Sequence, residues 1–268
     1  MANRIDTTMQ RLKNAGKTAL VPFVTVGFPD LDASEALAQT ILESGGDMLE
    51  LGIPFSDPLA DGPTIQMTSF RALENGANLR KSLEMLKRLR DKGVEAPLIF
   101  MGYYNPFLRY GIEKFLQASE DAGLDGIIVP DLPTEESAEF REACQIHGIH
   151  VIPLLAPTSP DSRIAAACKG AGGFIYCVSL TGVTGARQSL SSGLSDLVGR
   201  IRQHTELPVI VGFGISRHEH IQEIGQFADG AVVASALLDA IDKSPPEAVQ
   251  DTARKFVRGL RGLNGESS

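Results

Sequence analysis

Residues 19–30 read Ala19-Leu20-Val21-Pro22-Phe23-Val24-Thr25-Val26-Gly27-Phe28-Pro29-Asp30, an almost wholly apolar run and then a turn. A strand apolar on both faces belongs to a parallel sheet covered on both sides, because a half-wet strand would alternate. Seven further runs of this kind follow, at Met48–Gly52, Pro97–Tyr103, Gly126–Val129, His150–Leu155, Phe174–Val178, Pro208–Gly212 and Gly230–Ala234. Helical patterns separate them: Asp32–Glu43, Leu79–Lys92, Ile112–Ala122, Glu135–Ile146, Ser162–Ala171, Leu194–Gln203 and Arg217–Phe227, with another near Pro246–Leu260. A doubly wound open sheet would favour a glycine fingerprint after its first strand, and Gly27-Phe28-Pro29-Asp30 is not one. The pattern predicts an α/β fold, a (β/α)8 TIM barrel with its chemistry on the loops that follow the strands.

The 268 residues suffice for one sizeable core, and no low-complexity linker divides them, so a single barrel domain over 1–268 is expected. Ile5, Met9 and Leu12 fall at helical spacing and predict an extra N-terminal helix, while residues from about 263 to 268 read as a frayed tail. The net charge of −8 argues against nucleic acid or an anionic membrane as the main partner. No apolar run approaches the roughly 18 residues of a membrane span, and residues 1–16 lack the apolar core of a signal peptide. Cys144, Cys168 and Cys177 are odd in number and form no CxxC pair, which fits a reducing cytoplasm. His218-Glu219-His220 is the one histidine cluster; helical residues i and i+2 do not share a face, so no metal site is expected.

The chemistry concentrates in Leu49-Glu50-Leu51-Gly52-Ile53-Pro54-Phe55-Ser56-Asp57-Pro58-Leu59-Ala60-Asp61-Gly62-Pro63-Thr64. Strand alternation sends Met48, Glu50 and Gly52 to one face, and Leu49 and Leu51 to the other. The two leucines suit the helix side, so Glu50 is expected inside the barrel near its C-terminal mouth. A free Glu is protonated roughly once in 500 at pH 7, and burial raises that fraction, making Glu50 usable as acid and base. The plainer alternative is a buried Glu tied to a nearby backbone or hydroxyl donor. Asp57 and Asp61 each sit before Pro or Gly, where a turn role is ordinary, and Asp61 could cap the helical pattern of Ile65, Thr68, Ser69 and Leu73. What sets Asp61 apart is its place at the end of a loop that starts beside Glu50.

Thr181-Gly182-Val183-Thr184-Gly185-Ala186 follows the sixth strand, Gly212-Phe213-Gly214-Ile215-Ser216 the seventh, and Ala234-Ser235-Ala236 the eighth, where it opens a short helix. Glycines let backbone N–H groups approach a phosphate, and barrels often hold one after strands seven and eight. A Schiff-base aldolase needs a lysine at a strand end, and none of the eight ends carries one. A metal-dependent route needs clustered ligands, which are also absent from the sequence. Carboxylate acid/base chemistry on a phosphorylated substrate is what remains.

With these residues assembled, the chain resembles the tryptophan synthase α-subunit family nearly end to end. The resemblance rests on Val21-Pro22-Phe23-Val24-Thr25, the Glu50–Thr64 segment, Asp131-Leu132-Pro133-Thr134-Glu135-Glu136-Ser137, Gly182-Val183-Thr184-Gly185-Ala186 and Gly212-Phe213-Gly214-Ile215-Ser216. It implies retro-aldol cleavage of indole-3-glycerol phosphate to indole and glyceraldehyde 3-phosphate in tryptophan biosynthesis. Glu50 matches the family's acid/base and Asp61 its second catalytic acid, which bonds the indole N–H. Phe23, Met101, Ile128 and Leu154 match the indole pocket, with Tyr103 and Tyr176 near it. Thr184 matches the loop that closes over the site and meets Asp61. Gly185, Phe213, Gly214, Ala234 and Ser235 match the phosphate cup, though Ala234 stands where the family commonly has glycine and Leu180 where some members carry arginine. The implied partner is a pyridoxal-phosphate β subunit in an αββα complex, with Asp57, Pro58, Tyr104, Asn105, Pro106 and Asp131 in the contact region. No cofactor is expected in this chain. Two other readings compete: a stand-alone lyase releasing free indole, and a non-catalytic activator of the β subunit, for which neither Glu50 nor Asp61 would be needed.

Overall fold

A computed structural model of the chain describes residues 3–178, 187–212 and 214–263, with the backbone alone for 187–192. Among these, nine strand segments pair in parallel: β1 (Ala19–Thr25), β2 (Leu49–Gly52), β3 (Leu98–Met101), β4 (Gly126–Ile128), β5 (His150–Val151), β6 (Leu154–Leu155), β7 (Ile175–Val178), β8 (Val209–Gly212) and β9 (Gly230–Val233). Their order is β5-β4-β3-β2-β1-β9-β8-β7-β6. Because β5 and β6 are separated only by Ile152 and Pro153, the two ends of that sheet are one passage of chain, and the sheet closes into a barrel. The predicted fifth strand is thus interrupted. Pro153 has no N–H to give the ladder, yet pairing continues around it, with Ile152 N donating to Ile127 O at 2.9 Å and Tyr176 N donating to Pro153 O at 3.0 Å.

Alternation along these strands divides the core in two. Ala19, Val21, Met48, Ile99, Ile128, Ile152, Phe174, Tyr176, Ile210 and Val232 fill the barrel. Leu20, Val24, Leu49, Leu51, Leu98, Phe100 and Ile127 face outward and pack in the cluster that includes the helix residues Leu37, Ile41, Leu86 and Phe115. The N-terminal helix, Arg4–Asn14, buries Ile5, Met9 and Leu12 in the interior cluster. It sits at the N-terminal ends of the strands, where Asn3 Nδ2 donates to Asp125 O at 2.8 Å and to Gly148 O at 3.0 Å. Asn3 Oδ1 also caps the helix by accepting from Ile5 N. Burying three such side chains stabilises the barrel by about 1.5–3 kcal/mol each.

The helices follow the predicted pattern with several differences. Helix Arg187–Ile201 starts seven residues before the predicted Leu194, and His218–Ile224 stops three short of the predicted Phe227. The Pro246–Leu260 pattern opens as a 3-10 turn, Pro246–Ala248, before helix Val249–Leu260. The predicted Glu135–Ile146 helix is a 3-10 turn, Thr134–Glu136, and then a helix, Ala138–Ile146. Helix Asp161–Cys168 stops three residues short of the predicted Ala171. Tyr104–Tyr110 forms a helix that the apolar pattern did not indicate. Helices Pro63–Glu74 and Ser235–Asp242 stand beyond β2 and β9. The predicted tail residues 264–268 lie outside the described residues.

Candidate active site

β2 carries Glu50 into the barrel, opposite Phe23 in the β1 register and Ile99 in the β3 register. Its side chain is 1% exposed. Among the described residues neither of its carboxylate oxygens has a hydrogen-bond partner, so the tied-down alternative has no donor here. A buried carboxylate without a donor resists ionisation. Burial first, and then the charge of Asp61, raise Glu50 to about 8.

Asp61 closes the loop that leaves β2 and is half-buried. Burial raises it to about 6, against the lowering effect of a hydrogen bond from Tyr103. Tyr103 Oη donates to Asp61 Oδ2 at 3.1 Å and accepts from Ala60 N at 3.0 Å. Its ring stacks on Phe55 with centroids 5.2 Å apart. Ser69 Oγ accepts from Phe55 N at 2.9 Å and donates to Phe55 O at 3.0 Å, fixing the start of the loop. Asp61 does not cap the following helix, whose N-cap is Gly62 with no side-chain bond. Asp57 is exposed and accepts from Ser56 Oγ at 2.5 Å, away from Glu50's enclosure.

Phe23, Met101 and Tyr103 line one small cavity together with Asp61. Gly52, which alternation sends to the face of Glu50, lines the same cavity, as do Thr25, Ile53, Ile65, Ser69 and Gly102, which were not foreseen. Thr25 could have been found by parity, since it lies two residues beyond the cavity-lining Phe23 on its strand. Ile65 and Ser69 come from the next helix, and no local signal in the chain marks them. Met101, Ile128, Leu154 and Tyr176 share the interior cluster. The Tyr176 phenol is held well above its ordinary pKa by burial first, then by the charges of Glu50 and Asp61. Gly52 makes room for the Phe23 ring, since a Cβ there would lie 2.3 Å from the Phe23 Cζ.

Among the residues expected to hold phosphate, Ala234 precedes helix Ser235–Asp242 with φ −120°, and Gly214 has φ +39°. A negative φ suits any L residue, so Ala234 is not in the left-handed region. Thr184, Gly185 and Phe213 lie outside the described residues, as does Leu180. The other end of the site carries the exposed Asp57, Asn105 and Asp131, with Pro58, Tyr104 and Pro106 half-buried beside them. Asp131 Oδ1 accepts from Tyr104 N at 2.9 Å, and Tyr104 packs edge-on against Phe140. Among the described residues no group of three His, Cys, Asp or Glu could hold a metal ion. No helix among them is long and apolar enough to cross a membrane.

The family described as tryptophan synthase alpha chain matches residues 9–262. The tryptophan synthase alpha chain of Roseiflexus sp. (strain RS-1) is 51% identical over 260 residues, which cover 97% of this chain and 100% of that protein. The alpha chain of Geobacter sulfurreducens is 46% identical over 98% of this chain and 99% of its own length. Among solved structures, tryptophan synthase subunit alpha of Legionella pneumophila str. Paris superposes with a TM-score of 0.89 at 35% identity, covering 98% of this chain and 99% of that one. A chain of Mycobacterium tuberculosis tryptophan synthase gives a TM-score of 0.89 at 33% identity over 100% of both chains. With the family matched across nearly its whole length, this chain belongs to the tryptophan synthase alpha chain family.

Proposed function

We propose that the chain cleaves indole-3-glycerol phosphate to indole and glyceraldehyde 3-phosphate, with Glu50 as the acid/base and Asp61 as the second catalytic acid. One observation carries this reading: a fully buried, unpartnered Glu50 beside a half-buried Asp61 at the mouth of the barrel. Two carboxyl groups whose environments push their pKa values apart are suited to different roles in one reaction. At neutral pH Glu50 holds its proton and Asp61 is mostly ionised.

The chemistry follows from that division. The neutral indole ring is a poor leaving carbon, so C3 must first be protonated, and Glu50 delivers that proton. Positive charge then grows at the ring nitrogen, where the Asp61 carboxylate accepts the indole N–H and stabilises it. Such stabilisation is strongest with water excluded, as it is around Glu50. The Glu50 carboxylate next takes the proton of the glycerol hydroxyl next to C3. The C–C bond breaks, its electrons restore the aromatic ring, and the aldehyde leaves. Glu50 ends protonated, as it began. Phe23, Met101, Tyr103, Ile128, Leu154 and Tyr176 enclose the ring, while Gly214, Ala234 and Ser235, together with Gly185 and Phe213, hold the phosphate by backbone N–H groups. Thr184 closes the site.

The family implies a β-subunit partner. The finer reading is an αββα complex in the cytoplasm, docked through Asp57, Pro58, Tyr104, Asn105, Pro106 and Asp131, with pyridoxal phosphate held by the β subunit. Every step above uses only this chain's own side-chain and backbone groups. Measuring indole release by the purified chain, with and without β subunit, tests the whole reading. Weak release that rises strongly with β subunit is expected; no release from the complex would overturn it.

A further inference from the structure

We infer that Tyr103 is the positioning residue for Asp61, its hydroxyl aiming that carboxylate into the barrel mouth and linking it to the loops after β3 and β4. The inference rests on the catalytic reading of Asp61. Three features of the geometry carry it. First, the hydroxyl has one proton, and its partners fix where that proton goes. Ala60 N can only donate, so Tyr103 Oη accepts there and must spend its own proton on Asp61 Oδ2. Second, the ring cannot drift. Tyr103 is 5% exposed, stacks on Phe55, and Phe55 is held at both backbone atoms by Ser69. Third, Tyr103 immediately precedes helix Tyr104–Tyr110, whose first N–H is held by Asp131 Oδ1. The loop after β4 thereby sets the backbone of Tyr103, and Tyr103 sets Asp61. Residues 56–59, between the two clamped ends, are left to protrude, and Leu59 is 91% exposed.

The bond also acts on the charge of Asp61. Among the described residues, the ionisable groups coupled to Asp61 are Glu50, Tyr103 and Tyr176, and Asp131 acts on Tyr103. Of these Tyr103 alone favours the Asp61 carboxylate. Burial and the Asp61 charge push the phenol upward, so it keeps its proton and donates across the working pH range. Losing the donor must therefore raise Asp61 and move the acid limb of the rate profile to higher pH.

Tyr103→Phe keeps the ring and its stack while deleting the hydroxyl. In the complex with β subunit, kcat should fall about 10- to 100-fold, the range for a hydrogen bond to a charged group, with KM within about threefold. The acid limb of kcat/KM should move up by at least roughly half a pH unit. In an Asp61→Asn background the same change should cost less than about threefold. A ring-fluorinated tyrosine at 103, isosteric and a stronger donor, should move the limb the other way. A readout independent of turnover is the titration of the 13C-labelled Asp61 carboxyl, whose midpoint should rise in Tyr103→Phe. An unmoved midpoint and limb, with full additivity in the double variant, would overturn the positioning role. A shifted midpoint in a parent chain that cleaves nothing would instead overturn the proposed reaction and leave the positioning role standing.

Discussion

Glu50 concentrates the tension between stability and chemistry in one side chain. An unfolded Glu ionises near 4.5, whereas the folded chain holds the proton up to about 8. Between those values the folded state binds more protons than the unfolded one, so stability present below pH 4.5 is lost as pH rises towards 8. The slope is at most about 1.4 kcal/mol per pH unit. Glu50→Gln removes the ionisable group and keeps the shape. It should flatten that pH dependence in thermal unfolding and raise Tm at pH 8. The same variant should lower cleavage by about 10²–10⁴-fold, the usual contribution of a general acid/base, with β-subunit binding intact. Parent-like turnover would refute the role of Glu50. Because the proposed reaction needs Glu50 protonated and Asp61 ionised, kcat/KM should be bell-shaped, falling below about 6 and above about 8. A profile flat across pH 5–9 would contradict the assignment.

At the scale of elements, glycines on β2 and β8 make room for aromatic rings from the adjacent strands β1 and β7. A Cβ on Gly52 would meet the Phe23 ring at 2.3 Å, and one on Gly212 would lie 2.8 Å from the Tyr176 hydroxyl. Gly52→Ala should therefore cost about 1–3 kcal/mol by overpacking, read from chemical unfolding, and raise KM by displacing Phe23. An unchanged unfolding midpoint would show that the ring can yield. Much of this architecture was legible in the chain. Period-2 alternation placed Glu50 inward, because alternation is local to a strand, while Met101, Ile128 and Tyr176 came from the family resemblance and join the interior cluster. What was not legible depends on partners far away in sequence. Helix Tyr104–Tyr110 has no side-chain cap of its own and takes one from Asp131, 27 residues on. Pro106 falls in its first turn, where no N–H is needed. The break in the fifth strand has a local cause, Pro153, but whether a proline ends a strand or merely interrupts it depends on which neighbours keep pairing. The link from Asp61 to Tyr103 joins two loops that only the β2–β3 register brings together.

Across the whole molecule the two ends of the barrel divide the work. The N-terminal helix closes one end with Ile5, Met9 and Leu12, and the other end carries the acids and three successive loops. Those loops expose Asp57, Leu59, Asn105, Leu108 and Asp131. An apolar side chain as open as Leu59 contributes nothing to this chain's own core, so its removal should leave the free chain untouched. If the β subunit docks here, burying Leu59 would contribute about 1.5–3 kcal/mol to the complex. Leu59→Glu should then weaken β-subunit binding by roughly 10- to 100-fold in titration calorimetry. Thermal unfolding of the free variant should match the parent. The kinetics sharpen the point. Leu59 lies in the short protruding tip, whereas Asp61 is held separately by Tyr103. At saturating β subunit the variant should regain most of the stimulated cleavage rate, because docking is weakened while the acid's position is kept. Unchanged affinity would place the partner surface elsewhere. Affinity lost together with a saturated rate that never recovers would mean that the tip and Asp61 move as one piece.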